Sequence, residues 1–175
     1  IYELLTTPGL DAAAFVIPTG IDHLSLIPAD RQLTGAEIEL VTLDAREYRL
    51  RRVLDPLRAS YDVIFIDSPP SLGLLTLNAL VAADSVLIPL NCEYFALEGL
   101  NSLINTINAL KQKLNPGLEI DGIVRTMYDV RNNLANAVSN ELTTHFGDTV
   151  YRTLVPRNVR LAEAPSHGMS IIRYD

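Results

Sequence analysis

The sequence predicts an α/β fold built around a mostly parallel β-sheet. Short apolar runs bounded by polar residues recur along the chain, a pattern typical of strands buried on both faces of a parallel sheet. Segments with apolar residues every three or four positions separate these runs, as expected of helices that pack on a sheet. This alternation implies right-handed βαβ units, and such folds bind ligands at the carboxyl ends of their strands.

The first 60 residues predict one short strand and one long helix. The apolar residues between His23 and Pro28 indicate the strand. The stretch Thr34-Gly35-Ala36-Glu37 has the Thr-x-x-Glu form of a capping box, which predicts a helix that begins there and continues to about Arg58. The polar residues 44–52 indicate a solvent-exposed face of that helix, and Pro56 is expected to disturb its end.

The rest of the chain predicts four strands that alternate with three helices. The predicted strands are 62–67, 85–90, 120–127 and 150–155. The predicted helices are 72–83, 96–114 and 134–146. Residues 170–175 predict a short strand or turn. With no internal repeat or low-complexity tract, residues 1–175 are expected to form a single domain, a partial one because both ends look cut.

Composition favours a soluble cytoplasmic protein. Hydrophobic residues make up 48% and charged residues 20% of the chain, and no apolar run is long enough to span a bilayer. The single cysteine, Cys92, excludes an internal disulfide and indicates a small buried side chain. A net charge of −7 argues against nucleic-acid binding, yet residues 121–175 carry six arginines and six acidic residues and leave room for a local basic patch.

The strongest local signal for chemistry is Asp67, which ends the predicted strand 62–67. A carboxylate at this position lies in the ligand crevice, and in P-loop nucleotide hydrolases it holds Mg²⁺ directly or through water. Pro69 and Pro70 end the strand and stiffen the loop that follows. The alternative is that Asp67 only caps the next turn.

The phosphate-binding loop that should accompany such an Asp is missing. The pattern Gly-x-x-x-x-Gly-Lys-Ser/Thr needs a lysine followed by a hydroxyl residue. Lys111 and Lys113 are the only lysines, and Gln112 and Leu114 follow them. Either the loop lies upstream of Ile1, or the protein does not act on nucleotides.

Several segments, in order along the chain, resemble the ParA/MinD family of ATPases. Residues 67–72 resemble its D-T-P-P-S-L motif, 91–99 its C-E-Y-F-A-L-E-G segment, and 126–134 its T-M-Y-D and R-T-N-L segments. Residues 34–40 and 155–168 are similar to the chromosomal ParA/Soj branch in particular. Ser68 and Asn132 stand where the family usually has Thr. The chain lacks the family's N-terminal segment, which contains the deviant Walker A loop and the Asp that positions the attacking water. It also lacks the family's last helix.

The resemblance implies a doubly wound P-loop NTPase fold with a deviant Walker A loop, of which this chain lacks the N-terminal P-loop strand. It implies ATP and Mg²⁺ as cofactors, with Asp67 as the catalytic and metal-holding residue. Met127 would lie near the adenine, although core packing explains it as well. Pro156, Arg157 and Asn158 would grip the base, or else form an ordinary turn.

The resemblance also implies partners. Arg131 and Arg160 are candidates for DNA binding, although most such arginines are solvated surface groups. Glu93 could reach across a dimer, or be an ordinary surface carboxylate. The parent protein would form a homodimer when it binds ATP and would bind nucleoid DNA without sequence preference. It would respond to a ParB-type centromere-binding protein and would not bind the membrane. The fragment alone would be inactive.

Two other functions remain open at this stage. A MinD-like ATPase would position the division machinery on a membrane through a C-terminal amphipathic helix, which the chain does not reach. A non-catalytic remnant would only bind a partner, and its reading frame would contain no phosphate loop.

Overall fold

The computed structural model of the chain describes residues 1–69 and 71–174. The helices are α1 (Tyr2–Thr6), α2 (Leu33–Leu40), α3 (Arg49–Leu54), α4 (Leu74–Ala82), α5 (Tyr94–Lys113), α6 (Asn133–Phe146), α7 (Val159–Glu163) and α8 (Ile171–Tyr174). The strands are β1 (Ile17–Pro18), β2 (Ser25–Leu26), β3 (Ser85–Asn91), β4 (Glu119–Tyr128) and β5 (Val150–Pro156). In these two ranges, none of the helices combines the length and the apolar character that a bilayer crossing requires.

The contacts of the chain group it into two compact units, and the first comprises Ile1–Asp84 and Leu110–Leu118. Helices α1 to α4 of this unit share one apolar core, in which Ala36 and Leu40 of α2 are fully buried. The other buried members of that core are Leu4, Leu5, Ala12, Leu50, Leu54, Leu57, Ala79 and Ala82. Helices this short depend on such a shared core for their stability, because isolated short helices are marginal in water.

A buried asparagine on α4 satisfies backbone groups that the helices leave without partners. Asn78 is 1% exposed. Its side-chain oxygen accepts the N–H of Leu50 at 3.1 Å, and its nitrogen donates to the carbonyls of Arg46 and Leu74 at 2.9 Å each. The N–H of Leu50 lies in the first turn of α3, where a helix provides no internal acceptor. Asn78 therefore joins the start of α3 to α4 from inside the core.

The second unit comprises Ser85–Ala109 and Glu119–Asp175. Its described part holds a parallel sheet with the strand order β3-β4-β5, in which β4 is central. Helix α5 connects β3 to β4 and α6 connects β4 to β5, so the sheet is made of two βαβ units as the alternating pattern predicts. Ile88, Ile123 and Leu142 are buried. The burial of these strands on both faces that the sequence predicts is wrong for β3 and β5, because Leu87 and Tyr151 are 46% and 40% exposed.

The long helix predicted from Thr34 to Arg58 is wrong. Helix α2 ends at Leu40, and Ala45 adopts a left-handed conformation with φ of 49° that a right-handed helix cannot contain. A helix does begin near the predicted start, since α2 starts at Leu33, but its N-cap residue is Gln32 and Thr34 does not cap it. Residues 44–52 are not the wholly solvent-exposed face that the sequence predicts. Arg49 is 8% exposed, and its Nε donates to the carbonyl of Leu5 at 2.8 Å.

One predicted strand is absent from the described structure, and another is shorter than predicted. Residues 62–67 form no strand with the described residues, and Val63 and Phe65 are 64% and 86% exposed. From 23–28 only Ser25–Leu26 is a strand, and it pairs antiparallel with Ile17–Pro18 in an exposed two-residue ladder. An apolar run favours a strand, but a strand also needs a neighbour to complete its hydrogen bonds.

The C-terminal segment differs from its prediction too. Ile171–Tyr174 forms the short helix α8 rather than a strand or turn, and Asp175 lies outside the described residues. The rings of His167 and Tyr174 stack with centroids 5.0 Å apart, and this contact packs α8 against the residues that precede it.

Candidate functional site

Asp67 lies in the first unit, in the segment that leads to α4. Its side chain is exposed, and among residues 1–69 and 71–174 its carboxylate accepts no hydrogen bond. Helix α4 takes Gly73 as its N-cap residue, so the described structure gives no capping role to Asp67. Pro70, predicted to stiffen this loop, lies outside the described residues.

The end of the Asp67 loop is held by side chains from α4 and α2. The hydroxyl of Thr76 donates to the carbonyl of Ser71 at 2.5 Å. The carboxylate of Glu37 accepts the N–H of Leu75 at 3.4 Å and occupies the space that a Cβ at Gly73 would need. A negative group at the N-terminus of α4 is favourable because unpaired N–H groups point there. Glu37, predicted to cap its own helix, thus lies at the start of another.

A second site lies in the other unit, where β4 and β5 end. A cavity of about 370 Å³ opens beside the last residues of these two strands. Its lining consists of Tyr128, Asp129, Val130, Arg131, Leu154, Pro156 and Arg157. The carboxyl ends of neighbouring parallel strands are where α/β folds bind their ligands, so the cavity is at the position that the sequence predicts.

Hydrogen bonds fix both sides of this cavity. The N–H of Arg157 donates to the carbonyl of Tyr128 at 3.0 Å, which joins the segment after β5 to the end of β4. The hydroxyl of Tyr128 donates to Asn136 Oδ1 at 2.5 Å, and Asn136 Nδ2 donates to the carbonyl of Val130 at 2.9 Å. The two walls are therefore held by a backbone hydrogen bond and by the contacts of Asn136 on α6.

The charge of the cavity is set by two arginines and one carboxylate. Arg131 donates from Nε to Asp129 Oδ1 at 3.0 Å and from a terminal nitrogen to Oδ2 at 2.9 Å, a two-point contact. This guanidinium, with the backbone N–H of Arg131, lowers the pKa of Asp129 to about 2, and the charge of Arg157 adds to the shift. The carboxylate is therefore ionised at neutral pH, and both of its oxygens accept hydrogen bonds from Arg131.

The predicted site residues divide between these places. Pro156 and Arg157 line the cavity, and so does Arg131, which was predicted for DNA. Met127 does not line it; its side chain is 59% exposed and its backbone is left-handed, with φ of 48°. Asn158 is not part of the lining either. Its side-chain oxygen accepts the N–H of Arg160 at 2.9 Å and caps α7.

Cys92 matches its simpler interpretation, whereas the exposure of Glu93 fits both of the roles considered for it. Cys92 is buried, and burial raises the pKa of its thiol, although the positive charge of Arg125 opposes that shift. Glu93 is exposed, and its carboxylate accepts Asn91 Nδ2 at 2.8 Å.

Sequence reasoning missed Asp129 as a member of the site. The signal was present, since Asp129 follows the strand end at Tyr128 directly, as Asp67 follows an apolar run. The sequence does not show which residue pairs with Asp129. Only the fold shows that Arg131 turns back and forms an ion pair with it.

The Asp129–Arg131 pair predicts a measurable titration. In an NMR titration of side-chain carboxyls, Asp129 is expected to titrate at about 2 and to return toward its ordinary pKa near 3.8 in Arg131→Ala. Because the folded-state pKa is lowered, the pair stabilises the fold above the unfolded pKa and loses that effect as pH falls from about 4 to about 2. Arg157→Ala serves as the control and should move the pKa much less. A wild-type pKa near 3.8 would show that the pair is absent in solution.

Comparisons with known proteins point in one direction. The family model described as "AAA domain" matches residues 1–120. The chain is 59% identical over 158 residues to the chromosome partitioning protein ParA of Myxococcus xanthus, a match that covers 90% of this chain and 56% of that protein. It is 51% identical over 175 residues to the sporulation initiation inhibitor protein Soj of Bacillus subtilis, covering 100% of this chain and 69% of that protein. The chain thus spans little more than half the length of the first of these relatives.

Among solved structures, a close match is cobyrinic acid a,c-diamide synthase from Mycobacterium smegmatis with a bound ATP analogue and magnesium. It superposes with a TM-score of 0.81 at 32% identity, over 97% of this chain and 73% of that one. The match supports the α/β fold, while the higher identities of 51% and 59% to Soj and ParA decide the family.

Proposed function

Since the chain belongs to the ParA/Soj family of partitioning proteins, we propose that its parent protein is an ATPase that segregates DNA. The observation that carries the proposal is the cavity at the carboxyl ends of β4 and β5, which is lined by Pro156 and Arg157, two of the three residues that the family resemblance assigns to the base. The cavity has apolar walls from Leu154 and Pro156 and polar groups at its edge, which suits a flat heteroaromatic ring.

The chain's own residues fit ATP and Mg²⁺ in two respects. Asp67 presents a carboxylate that accepts no hydrogen bond within the described ranges, and hard cations such as Mg²⁺ prefer such oxygens. Asp129 and Arg157 offer an acceptor and a donor to the edge of a base. Mg²⁺, when bound, would neutralise charge on the transferred phosphoryl group. Asp67 would hold that ion or its water in place, and Pro156 with Arg157 would orient the nucleotide through its base.

The DNA-binding part of the proposal rests mainly on Arg160. It is exposed on α7 in the segment 155–168 that is similar to the chromosomal branch. Arg131 is the second candidate, and Asp129 binds its guanidinium at two points. A DNA phosphate at Arg131 would have to compete with that carboxylate. The overall charge of −7 disfavours loose attraction, so binding should depend on an ATP-induced homodimer that places two Arg160 side chains on one side.

The remaining details of the proposal follow from the family. A ParB-type protein would stimulate hydrolysis and release the DNA, in the cytoplasm at the nucleoid. Relatives named for partitioning and for Soj support this function over a MinD-like membrane protein.

The test is turnover by the protein expressed from its complete reading frame, purified alone and with DNA and a ParB-type partner. We expect Mg²⁺-dependent ATP hydrolysis that rises when both are added, and a reading frame that contains a Lys-Gly-Gly-x-Gly-Lys-Thr-like loop upstream of Ile1. The 175-residue chain serves as the matched control and should not hydrolyse ATP, because it lacks that lysine. Mg²⁺-dependent turnover by the short chain, or a complete frame without the loop, would contradict the proposal.

Arg160→Ala should weaken DNA binding and make it less dependent on salt. Each phosphate contact changes log affinity by roughly 0.9 per tenfold change in salt, so losing one arginine from each subunit should flatten the slope by roughly 2 units. ATP turnover without DNA should hardly change. The measurement is DNA affinity over a salt series with ATP present, and Arg173→Ala on α8 is the matched control. A slope equal to that of the wild type would place the DNA-binding surface elsewhere.

A further inference from the structure

The pairing of β4 with β5 is irregular on both sides of Arg125. Between Ile123 and Arg125 the chain of β4 advances two residues, whereas β5 advances four, from Val150 to Leu154. Before the last pair, Tyr128 with Pro156, the register shifts in the opposite sense, because β4 advances three residues and β5 advances two. Extra residues in one strand leave its backbone groups without ladder partners and redirect the strand that follows. The end of β5 therefore lies where it does because of this bulge.

Arg125 supplies hydrogen bonds at the bulge. Its side chain donates to the carbonyl of Tyr151 at 2.7 Å and reaches that of Arg152 at 3.5 Å, and both residues belong to the extra segment of β5. Its other terminal nitrogen donates to Ser139 Oγ of α6 at 2.7 Å. The planar guanidinium provides several donors in a fixed geometry, which a lysine cannot match.

The surroundings of Arg125 indicate that the bulge requires an arginine at this position. Its Nε is buried and finds no acceptor among the described residues, so the side chain is held here in spite of one unsatisfied donor. The ring of Tyr151 lies directly against Gly122 of β4, where any Cβ would overlap it, and its hydroxyl donates to Asp121 at 2.8 Å. Gly122 and Arg125 thus contact the bulged residues from two points on the same strand.

The bulge determines where the cavity residues lie. Beyond it, Pro156 pairs with Tyr128, and the N–H of Arg157 donates to the carbonyl of Tyr128 at 3.0 Å. These residues form facing walls of the cavity, which Arg125 itself does not line. We propose that Arg125 is a positioning residue: its guanidinium holds β5 in the shifted register that places Pro156 and Arg157 beside Tyr128. As an effect on nucleotide binding, this inference rests on the proposed base-binding role of the cavity.

A purely structural role for Arg125 makes a different prediction. If the arginine only anchors α6 through Ser139, then Ser139→Ala should reproduce the effect of losing the arginine. If it sets the register of β5, Ser139→Ala should leave the cavity intact. Losing Arg125 should then weaken contacts to the base and spare those to the phosphates.

The test measures two ligands on the protein from the complete reading frame. Calorimetric titration gives the Kd for ATP and for inorganic tripolyphosphate, which carries no base. We expect Arg125→Leu to weaken ATP binding roughly tenfold while tripolyphosphate binding stays within about twofold. Arg125→Lys keeps the charge with fewer donors and should give a smaller loss, which also covers the case that the leucine variant folds poorly. Ser139→Ala and Arg152→Leu are the matched controls and should bind both ligands as the wild type does.

Amide hydrogen exchange in the same variants tests the register of β5 without any ligand. The amide of Arg157 should lose protection in Arg125→Leu, while the amides of α6 keep theirs. Equal weakening of both ligands, or unchanged ATP binding with unchanged exchange at Arg157, would overturn the positioning role. If the wild type bound ATP no more tightly than tripolyphosphate, the proposed base site would fail instead, and exchange at Arg157 would decide by itself whether Arg125 sets the register.

Discussion

Asp67→Ala is expected to lower ATP turnover of the complete protein by roughly 100-fold or more, because it removes the carboxylate proposed to hold Mg²⁺ or its water. The exposed side chain makes no hydrogen bond within the described structure, so the fold itself should lose little stability. The measurement is turnover over a series of Mg²⁺ concentrations, together with the melting temperature. Asp67→Asn, which keeps one oxygen ligand without the charge, should retain more activity than the alanine variant.

Asp62→Ala is the matched control for this experiment, because Asp62 is an exposed carboxylate at the other end of the same apolar run. Its turnover should equal that of the wild type. If Asp67 only capped a turn, Asp67→Ala would lower stability by roughly 0.5–2 kcal/mol and leave turnover at saturating Mg²⁺ unchanged. That result would remove Asp67 from the catalytic site.

Asn78→Ala is expected to lower the free energy of unfolding by roughly 2–4 kcal/mol, since each buried polar group left without a partner costs about 1–3 kcal/mol. The change removes the acceptor for the N–H of Leu50 and the donor to the carbonyl of Arg46, both near the buried start of α3. Urea denaturation followed by circular dichroism measures the loss. The slope with urea should stay the same while the midpoint falls.

Asn108→Ala is the control for this change, because it makes the same substitution at an exposed position of α5. Alanine has the higher helix propensity, so this variant should be as stable as the wild type or slightly more stable. Equal midpoints for the two variants would mean that water or a rearranged side chain replaces the bonds of Asn78, and that the asparagine is not essential to the core.

Much of the second unit could be predicted from the sequence. The apolar runs at 85–90, 120–127 and 150–155 became β3, β4 and β5, since each carries the pattern of a strand and has another such strand to pair with. The run at 62–67 has the same pattern and forms no strand, because no described residue pairs with it. Local pattern measures a preference for the extended backbone, whereas pairing depends on the neighbour.

Some of the residues that the resemblance assigns to the nucleotide lie in the cavity, and their binding role stays a prediction. Pro156 and Arg157 were found through the resemblance and do line the cavity, but Met127 and Asn158 do not. Asn158 has the side chain that best caps a helix, and α7 begins directly after it. That competing use of its oxygen becomes visible only when the helix boundary is known.

The sequence by itself determined the alternation of strands and helices and the family, because periodicity and short motifs are local properties of the chain. Only the tertiary structure decided which side chains meet. Glu37 lies at the N-terminus of α4 instead of capping α2, Arg131 neutralises Asp129, and Arg125 binds the bulge of β5. Each of these contacts depends on where a helix begins or on how two strands pair. Such distances and registers are set by the packing of the whole unit, which no local pattern encodes.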